Sequence, residues 1–218
     1  MDGTEEQRAY YLPKLASGEI IGSFALTEPN AGSDAGALQT KAVKSGDDYI
    51  ISGTKRYITN APHAQLFTVF ARTDPNQSGA KGVSAFLVDA DTPGITLSQP
   101  YRKMGQQGAH VCDVIFEDCR VPASQMVGGV NNLHKGFQTA MKTLDRGRIH
   151  ISALSVGCAN RLIDLCLSYG QERSQFGQPI GEFQLLQGMI ADSKAESYAA
   201  ECMICLLYTS PSPRDRNV

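Results

Sequence analysis

Three short stretches of this sequence carry side chains whose types and spacing could do chemistry. The first, Leu26-Thr27-Glu28-Pro29-Asn30-Ala31-Gly32-Ser33-Asp34, closes an apolar run from Ile20 to Leu26 and breaks at Pro29, which has no backbone donor. Thr27, Ser33 and Asp34 supply side-chain oxygens, and Asn30 and Gly32 tolerate positive φ, so such a loop can turn hydroxyls and N–H groups toward one ligand. In the second, Tyr57-Ile58-Thr59, strand alternation puts an aromatic ring and a hydroxyl on one face. In the third, the Arg173 guanidinium suits a pyrophosphate bidentately and Phe176 offers a flat face beside it. Read alone, the first stretch also fits an ordinary turn, and the second an ordinary strand threonine.

The remaining candidates are weaker. Asp145-Arg146-Gly147-Arg148 reads, unaided, as a solvated charge cluster. Glu117 and Asp118 are adjacent at a strand end and point apart, which makes them structural rather than a dyad. His63, His110, His134 and His150 are dispersed along the chain. Cys202-x-x-Cys205 has no second pair to complete a zinc site, so it reads as packing on a helix face, and the six cysteines as reduced. Nucleotide-loop, dinucleotide, zinc-protease and nucleophile-elbow strings are all missing.

Composition narrows the class. With 22 acidic and 20 basic side chains the formal charge is −2, which implies no polyanion-binding surface and hence no nucleic-acid partner. No apolar run approaches the roughly 20 residues of a membrane span, and the opening Met1-Asp2-Gly3-Thr4-Glu5-Glu6 is not a signal peptide, so a soluble protein is expected. A hydrophobic share of 42% is enough for one or two cores.

The elements that must position these residues follow from periodicity. Residues 4–17 read as a short helix interrupted by Pro13 and ending near Gly18. From Ile20 to about Val121 short strands alternate with turn residues: Leu38–Val43, a hairpin into Tyr49–Ser52, a turn at Gly53, then Lys55–Thr59, Leu66–Arg72, Val83–Val88 and Val114–Phe116. After Gly128-Gly129 the apolar residues recur at helical intervals, through Phe137, Met141 and Leu144 to Tyr169, and again from Phe183 to Cys205. Residues 206–218, with two Ser-Pro steps, carry no helical stripe and are excluded from the fold as a non-native tail.

Four strings occur in an order that resembles the acyl-CoA dehydrogenase family: Thr-Glu-Pro-x-Ala-Gly-Ser-Asp, with Asn30 where the family usually has Gly; Tyr57-Ile58-Thr59-Asn60-Ala61; a Gly-rich turn from Met104-Gly105 followed by Val114-Ile115-Phe116-Glu117-Asp118 through Val121-Pro122; and Arg173 through Phe176-Gly177 to Pro179-Ile180 and Gln184. The resemblance implies an α+β chain. Residues 1–19 would be the remnant of an N-terminal helical domain, 20–125 a barrel-like antiparallel β domain, and 128–205 the start of a truncated up-and-down helical bundle. It also implies FAD, contacted by Phe24, Ala25, Leu26, Thr27, Ser33, Tyr57, Ile58 and Thr59, with the Thr59 hydroxyl donating to flavin N5. Arg173, Phe176, Phe183 and Gln184 would reach the FAD of a neighbouring subunit in a homodimer or homotetramer. Ser33, Asp145 and Arg148 would meet acyl-CoA, and electron-transfer flavoprotein would take the electrons, in bacterial cytoplasm or the mitochondrial matrix.

In most members the catalytic glutamate lies beyond the stretch present here; a minority place it on the helix near Asp145–Arg148, where this chain has Gly147. No catalytic residue is therefore assigned, and the chain alone is expected to be inactive. An acyl-CoA oxidase or flavin monooxygenase on the same scaffold, or a non-catalytic assembly relative, are the alternatives.

Overall fold

A computed structural model describes residues 2–209, which divide between Lys142 and Thr143 into two compact units. In the first, α1 (Glu5–Ser17) opens with a capping box in which the Thr4 hydroxyl accepts from the Gln7 N–H and the Gln7 carboxamide oxygen accepts from the Thr4 N–H. Contrary to expectation the helix runs through Pro13, which has no N–H for the Ala9 carbonyl and whose ring crowds that carbonyl. Gln7 is buried because its amide also donates to the Ser124 and Met126 carbonyls, pinning the helix to the chain beyond the sheet.

Seven strands follow: β1 (Gly22–Ala25), β2 (Lys41–Ser45), β3 (Asp48–Thr59), β4 (Leu66–Arg72), β5 (Val83–Asp89), β6 (Ile95–Leu97) and β7 (Val111–Pro122). They form one curled sheet in the order β1-β4-β2-β3-β7-β6, with β5 also on β4. The pairings are antiparallel except that β1 and β2 each run parallel to β4, so the sheet is mixed. Its inner core gathers alternate residues such as Ala25, Ile51, Ile58, Phe67, Val69, Phe86, Val114 and Phe116. A second cluster around Leu26, Leu38, Phe70 and Val83 packs on the other side, with Phe137 and Met141 against it.

Several boundaries differ from the sequence reading. Residues 35–37 form a 3-10 turn, so the strand expected at Leu38–Val43 begins at Lys41. Gly53 is not a turn but a bulge inside the 12-residue β3, where the register slips between Ile51 and Gly53. Its φ is 152°, and a Cβ there would come 2.5 Å from Thr40 Oγ1.

α2 (Gly136–Glu172) starts in the first unit and continues into the second. There a hairpin of β8 (Ser174–Gln175) and β9 (Gln178–Pro179) leads to α3 (Gln184–Thr209), whose Ser197 hydroxyl donates to Asn160 Oδ1 of α2 at 2.9 Å. The helix therefore extends four residues past Cys205, the end expected from sequence; residues 210–218 lie outside the described residues. By length and composition α2 is also long and apolar enough to cross a membrane, contrary to the expectation of no such segment. Sequence inspection missed it because polar residues interrupt its apolar positions at helical spacing.

Candidate functional site

The chain leaves β1 at Ala25 and turns sharply, with Glu28 and Ala31 exchanging two backbone hydrogen bonds at 3.0 and 3.2 Å. Pro29 and Asn30 form the exposed corner, and neither Asn30 nor Gly32 adopts positive φ. The turn therefore closes without the positive φ that these two residues tolerate. Phe24 is half-buried against Phe70 at 4.9 Å between ring centres, Ala25 and Leu26 are buried, Thr27 is half-buried and Ser33 is exposed.

Three contacts fasten this segment to β3. The Ser23 hydroxyl donates to the Thr59 carbonyl at 2.8 Å, the Arg56 N–H donates to the Thr27 carbonyl at 2.8 Å, and Lys55 Nζ donates to the Leu26 carbonyl at 3.0 Å. The loop and the Tyr57–Thr59 strand end therefore belong to one body. At that end Ile58 is buried while Tyr57 and Thr59 are exposed, which keeps ring and hydroxyl on the outer face.

Glu28 does not join that face. Its side chain turns inward, 6% exposed, and takes Lys55 Nζ at 2.7 Å and the Gln39 and Thr40 N–H groups at 2.6 and 3.0 Å. Burial alone would raise this carboxyl, but the Lys55 charge and the hydrogen bonds outweigh it and hold it below the usual range. Burial pushes Lys55 down to about 8 against the pull of Glu28, so the pair is charged at neutral pH. Lys55 was missed in the sequence; the only signal was a lysine on the inward phase of an apolar strand.

Because the folded Glu28 holds its proton less tightly than the unfolded chain, its stabilising contribution is present above the ordinary carboxylate range and is lost as pH falls through the folded value. Stability in acid should therefore fall with a slope that Glu28→Gln reduces by about 1.4 kcal/mol per pH unit. Urea unfolding between pH 3 and 6 checks this; parallel slopes for the two proteins would refute it.

Asp113 of β7 was also missed. Its carboxylate accepts from the Arg56 guanidinium (3.2 Å), the Tyr101 hydroxyl (2.9 Å) and the Tyr57 N–H (3.4 Å). That N–H lies in a second β3 bulge, between Lys55 and Ile58, where Tyr57 has a φ of 58°. A left-handed tyrosine is strained, and Asp113 supplies the partner that the bulge removes from the ladder. Tyr101 packs on the Tyr57 ring at 5.0 Å.

Other candidates fall as follows. Asp118 accepts from the Ser52 hydroxyl at 2.8 Å, a structural contact. His63 and His110, dispersed in sequence, lie 2.7 Å apart because the β3–β7 pairing brings the turn after β3 beside the start of β7. Asp145 and Arg148 form an exposed pair at 3.4 Å on α2. In the second unit Arg173 and Gln184 are exposed, and Phe183 is half-buried with its ring edge-on to Phe176 at 6.3 Å. Phe176 is 95% exposed with a φ of 54° at the tip of the β8–β9 hairpin.

Residues 23–119 match the family model of the acyl-CoA dehydrogenase middle domain, and residues 134–209 that of the acyl-CoA dehydrogenase C-terminal domain. The chain belongs to the acyl-CoA dehydrogenase family. The second match reaches the observed end of α3, which places residues 206–209 with the acyl-CoA dehydrogenase helices and not in a foreign tail. α2 is likewise a helix of that C-terminal domain. Among relatives, a probable acyl-CoA dehydrogenase of Bacillus subtilis is 49% identical over 93% of this chain and 52% of its own length. The CarC subunit of a caffeyl-CoA reductase-Etf complex from Acetobacterium woodii is 42% identical over 94% of this chain and 53% of its own. A glutaryl-CoA dehydrogenase from Mycobacterium smegmatis in complex with FADH2 superposes with a TM-score of 0.85 at 33% identity, over 93% of this chain and 50% of that one. The chain thus spans about half the length of the acyl-CoA dehydrogenase relatives it matches.

Proposed function

We propose that the protein carrying this chain is an FAD-dependent acyl-CoA dehydrogenase that converts an acyl-CoA thioester to its trans-2-enoyl product. The observation that carries this reading is the fastening of the Leu26–Asp34 loop to the strand end bearing Tyr57 and Thr59. It presents an exposed ring and exposed hydroxyls on one rigid edge, a donor set that fits a planar, polar-edged isoalloxazine. When bound, FAD supplies the two-electron acceptor for the hydride from the substrate β carbon.

The chain's own residues would bind and orient. Thr59 donates its hydroxyl to the flavin N5 edge, Tyr57 covers the ring, and Phe24 through Ser33, including Ala25, Leu26 and Thr27, hold the ring edge, with Ile58 buried behind. Arg173, Phe176, Phe183 and Gln184 address the FAD of a neighbouring subunit, which the exposure of Phe176 favours, in a homodimer or homotetramer. Ser33, Asp145 and Arg148 line the acyl-CoA path. Proton abstraction needs a carboxylate free to move, and neither Glu28 nor Asp113 is one, since each is committed to several donors. With Gly147 at the position where a minority of the family carry the base, these residues alone are expected to give no turnover. Electron-transfer flavoprotein is the acceptor, as the CarC relative's complex suggests, and the location is the bacterial cytoplasm or the mitochondrial matrix, since relatives of both bacterial and mitochondrial origin match.

The test is anaerobic titration of the full-length flavoprotein with acyl-CoA thioesters, read as bleaching of the flavin band and formation of enoyl-CoA. Turnover is then compared with electron-transfer flavoprotein and with oxygen as acceptor. Bleaching coupled to the flavoprotein is expected. Fast hydrogen peroxide formation would indicate an oxidase, and flavin unaffected by any thioester would leave the non-catalytic reading.

A further inference from the structure

A fully buried lysine is among the rarest placements in proteins, and Lys55 is 0% exposed. Its partners explain where it points. β1 is four residues long and its ladder runs to β4, not to β3, which leaves a gap between the segment after β1 and the strand that carries Thr59 that no sheet ladder closes among the described residues and one backbone hydrogen bond bridges. Lys55 fills that gap from beneath, reaching the Leu26 carbonyl at 3.0 Å and Glu28 Oε1 at 2.7 Å. Glu28 passes the restraint onward to the Gln39 and Thr40 N–H groups, where the chain re-enters the sheet at β2. The next residue, Arg56, adds its own N–H to the Thr27 carbonyl at 2.8 Å. Three consecutive loop residues, Leu26, Thr27 and Glu28, are thus held by two consecutive residues of β3.

We propose that Lys55, acting through Glu28, is a positioning residue: it fixes the distance between the Leu26–Ser33 loop and the Tyr57–Thr59 strand end, so that one ligand is gripped from both at once. The proposal rests on the FAD reading. Packing alone does not account for the pair. An apolar pair of similar volume would fill the same space without the cost of desolvating two charges, and such replacements are often neutral or stabilising. What an apolar pair cannot do is hold the Leu26 carbonyl in one orientation, because that takes a donor.

The test uses the full-length protein with Lys55→Met, Glu28→Leu and the double variant, the last keeping the core filled. Backbone amide exchange is read at Arg56 and Ala31 without flavin, alongside FAD affinity, the shape of the flavin visible band, and kcat and KM. In the folded double variant, exchange at Arg56 and Ala31 should rise about tenfold while amides deep in the β3–β7 ladder keep their protection. FAD binding should weaken about tenfold with a changed band shape, and kcat should fall more than KM changes. A folded double variant with wild-type exchange at Arg56 overturns the proposal, and so does altered exchange with FAD affinity, band shape and kcat unchanged. A wild-type protein that takes up no FAD overturns instead the functional reading on which the grip depends, and with it the role proposed for Lys55.

Discussion

Truncating Glu28 to alanine is expected to cost about 3–5 kcal/mol of stability at neutral pH, because it strands the Lys55 ammonium in the core. Two backbone N–H groups, of Gln39 and Thr40, lose their acceptor in the same step. The variant should also show a pH signature. Without Glu28 the folded lysine gives up its proton at still lower pH than the value of about 8 it has in the pair. The variant then becomes neutral at position 55 before the wild type does, so its deficit should narrow as pH is raised from about 6 toward 8. Lys55→Met should cost less, about 1–3 kcal/mol, because Glu28 keeps its two N–H donors and can take up a proton. Urea unfolding at several pH values decides this. A Glu28→Ala protein as stable as wild type would mean that the pair opens to water in solution.

The second large effect is expected at Gly94, in the turn into β6. Its φ is 93°, and an added Cβ would press into the Glu117 carbonyl oxygen and come 3.1 Å from Cys119 Sγ. The backbone there cannot retreat, because the Glu117 N–H donates to the Gly94 carbonyl at 2.9 Å. Gly94→Ala combines backbone strain with a clash against main chain and should cost roughly 4 kcal/mol or more. Gly46, at the tip of the β2–β3 hairpin, is the control. It has a φ of 62° and open space where a Cβ would go, so Gly46→Ala should cost only about 1 kcal/mol. Thermal melts of the two variants should differ widely; equal melts would show that the Glu117 carbonyl moves aside cheaply.

The sequence made the strands legible wherever one face was apolar and the run uninterrupted, as in Leu66–Arg72 and Val83–Asp89. It also made legible the loop after β1 and the outward pairing of Tyr57 with Thr59. The parallel β1–β4 pairing was not legible, since periodicity gives a strand's faces but not its neighbours. Nor were the bulges: the left-handed Tyr57 depends on a carboxylate 56 residues away in sequence, and Glu28 meets Lys55 across 27. Burial of a charge is decided by such partners and leaves no local trace. The end of α3 was misjudged because Ser210-Pro211 was allowed to act at a distance. Proline restrains mainly the residue just before it, and the helix runs undisturbed to Thr209.

The turn at Pro29-Asn30 has an evolutionary consequence. Its shape is held from below by Glu28 and across by two hydrogen bonds to Ala31, while its corner is exposed and asks for no unusual backbone angle. The corner position can therefore accept many side chains, asparagine among them, without disturbing the residues on either side, and sequence variation at this tip would be a poor guide to whether the loop beneath it still works.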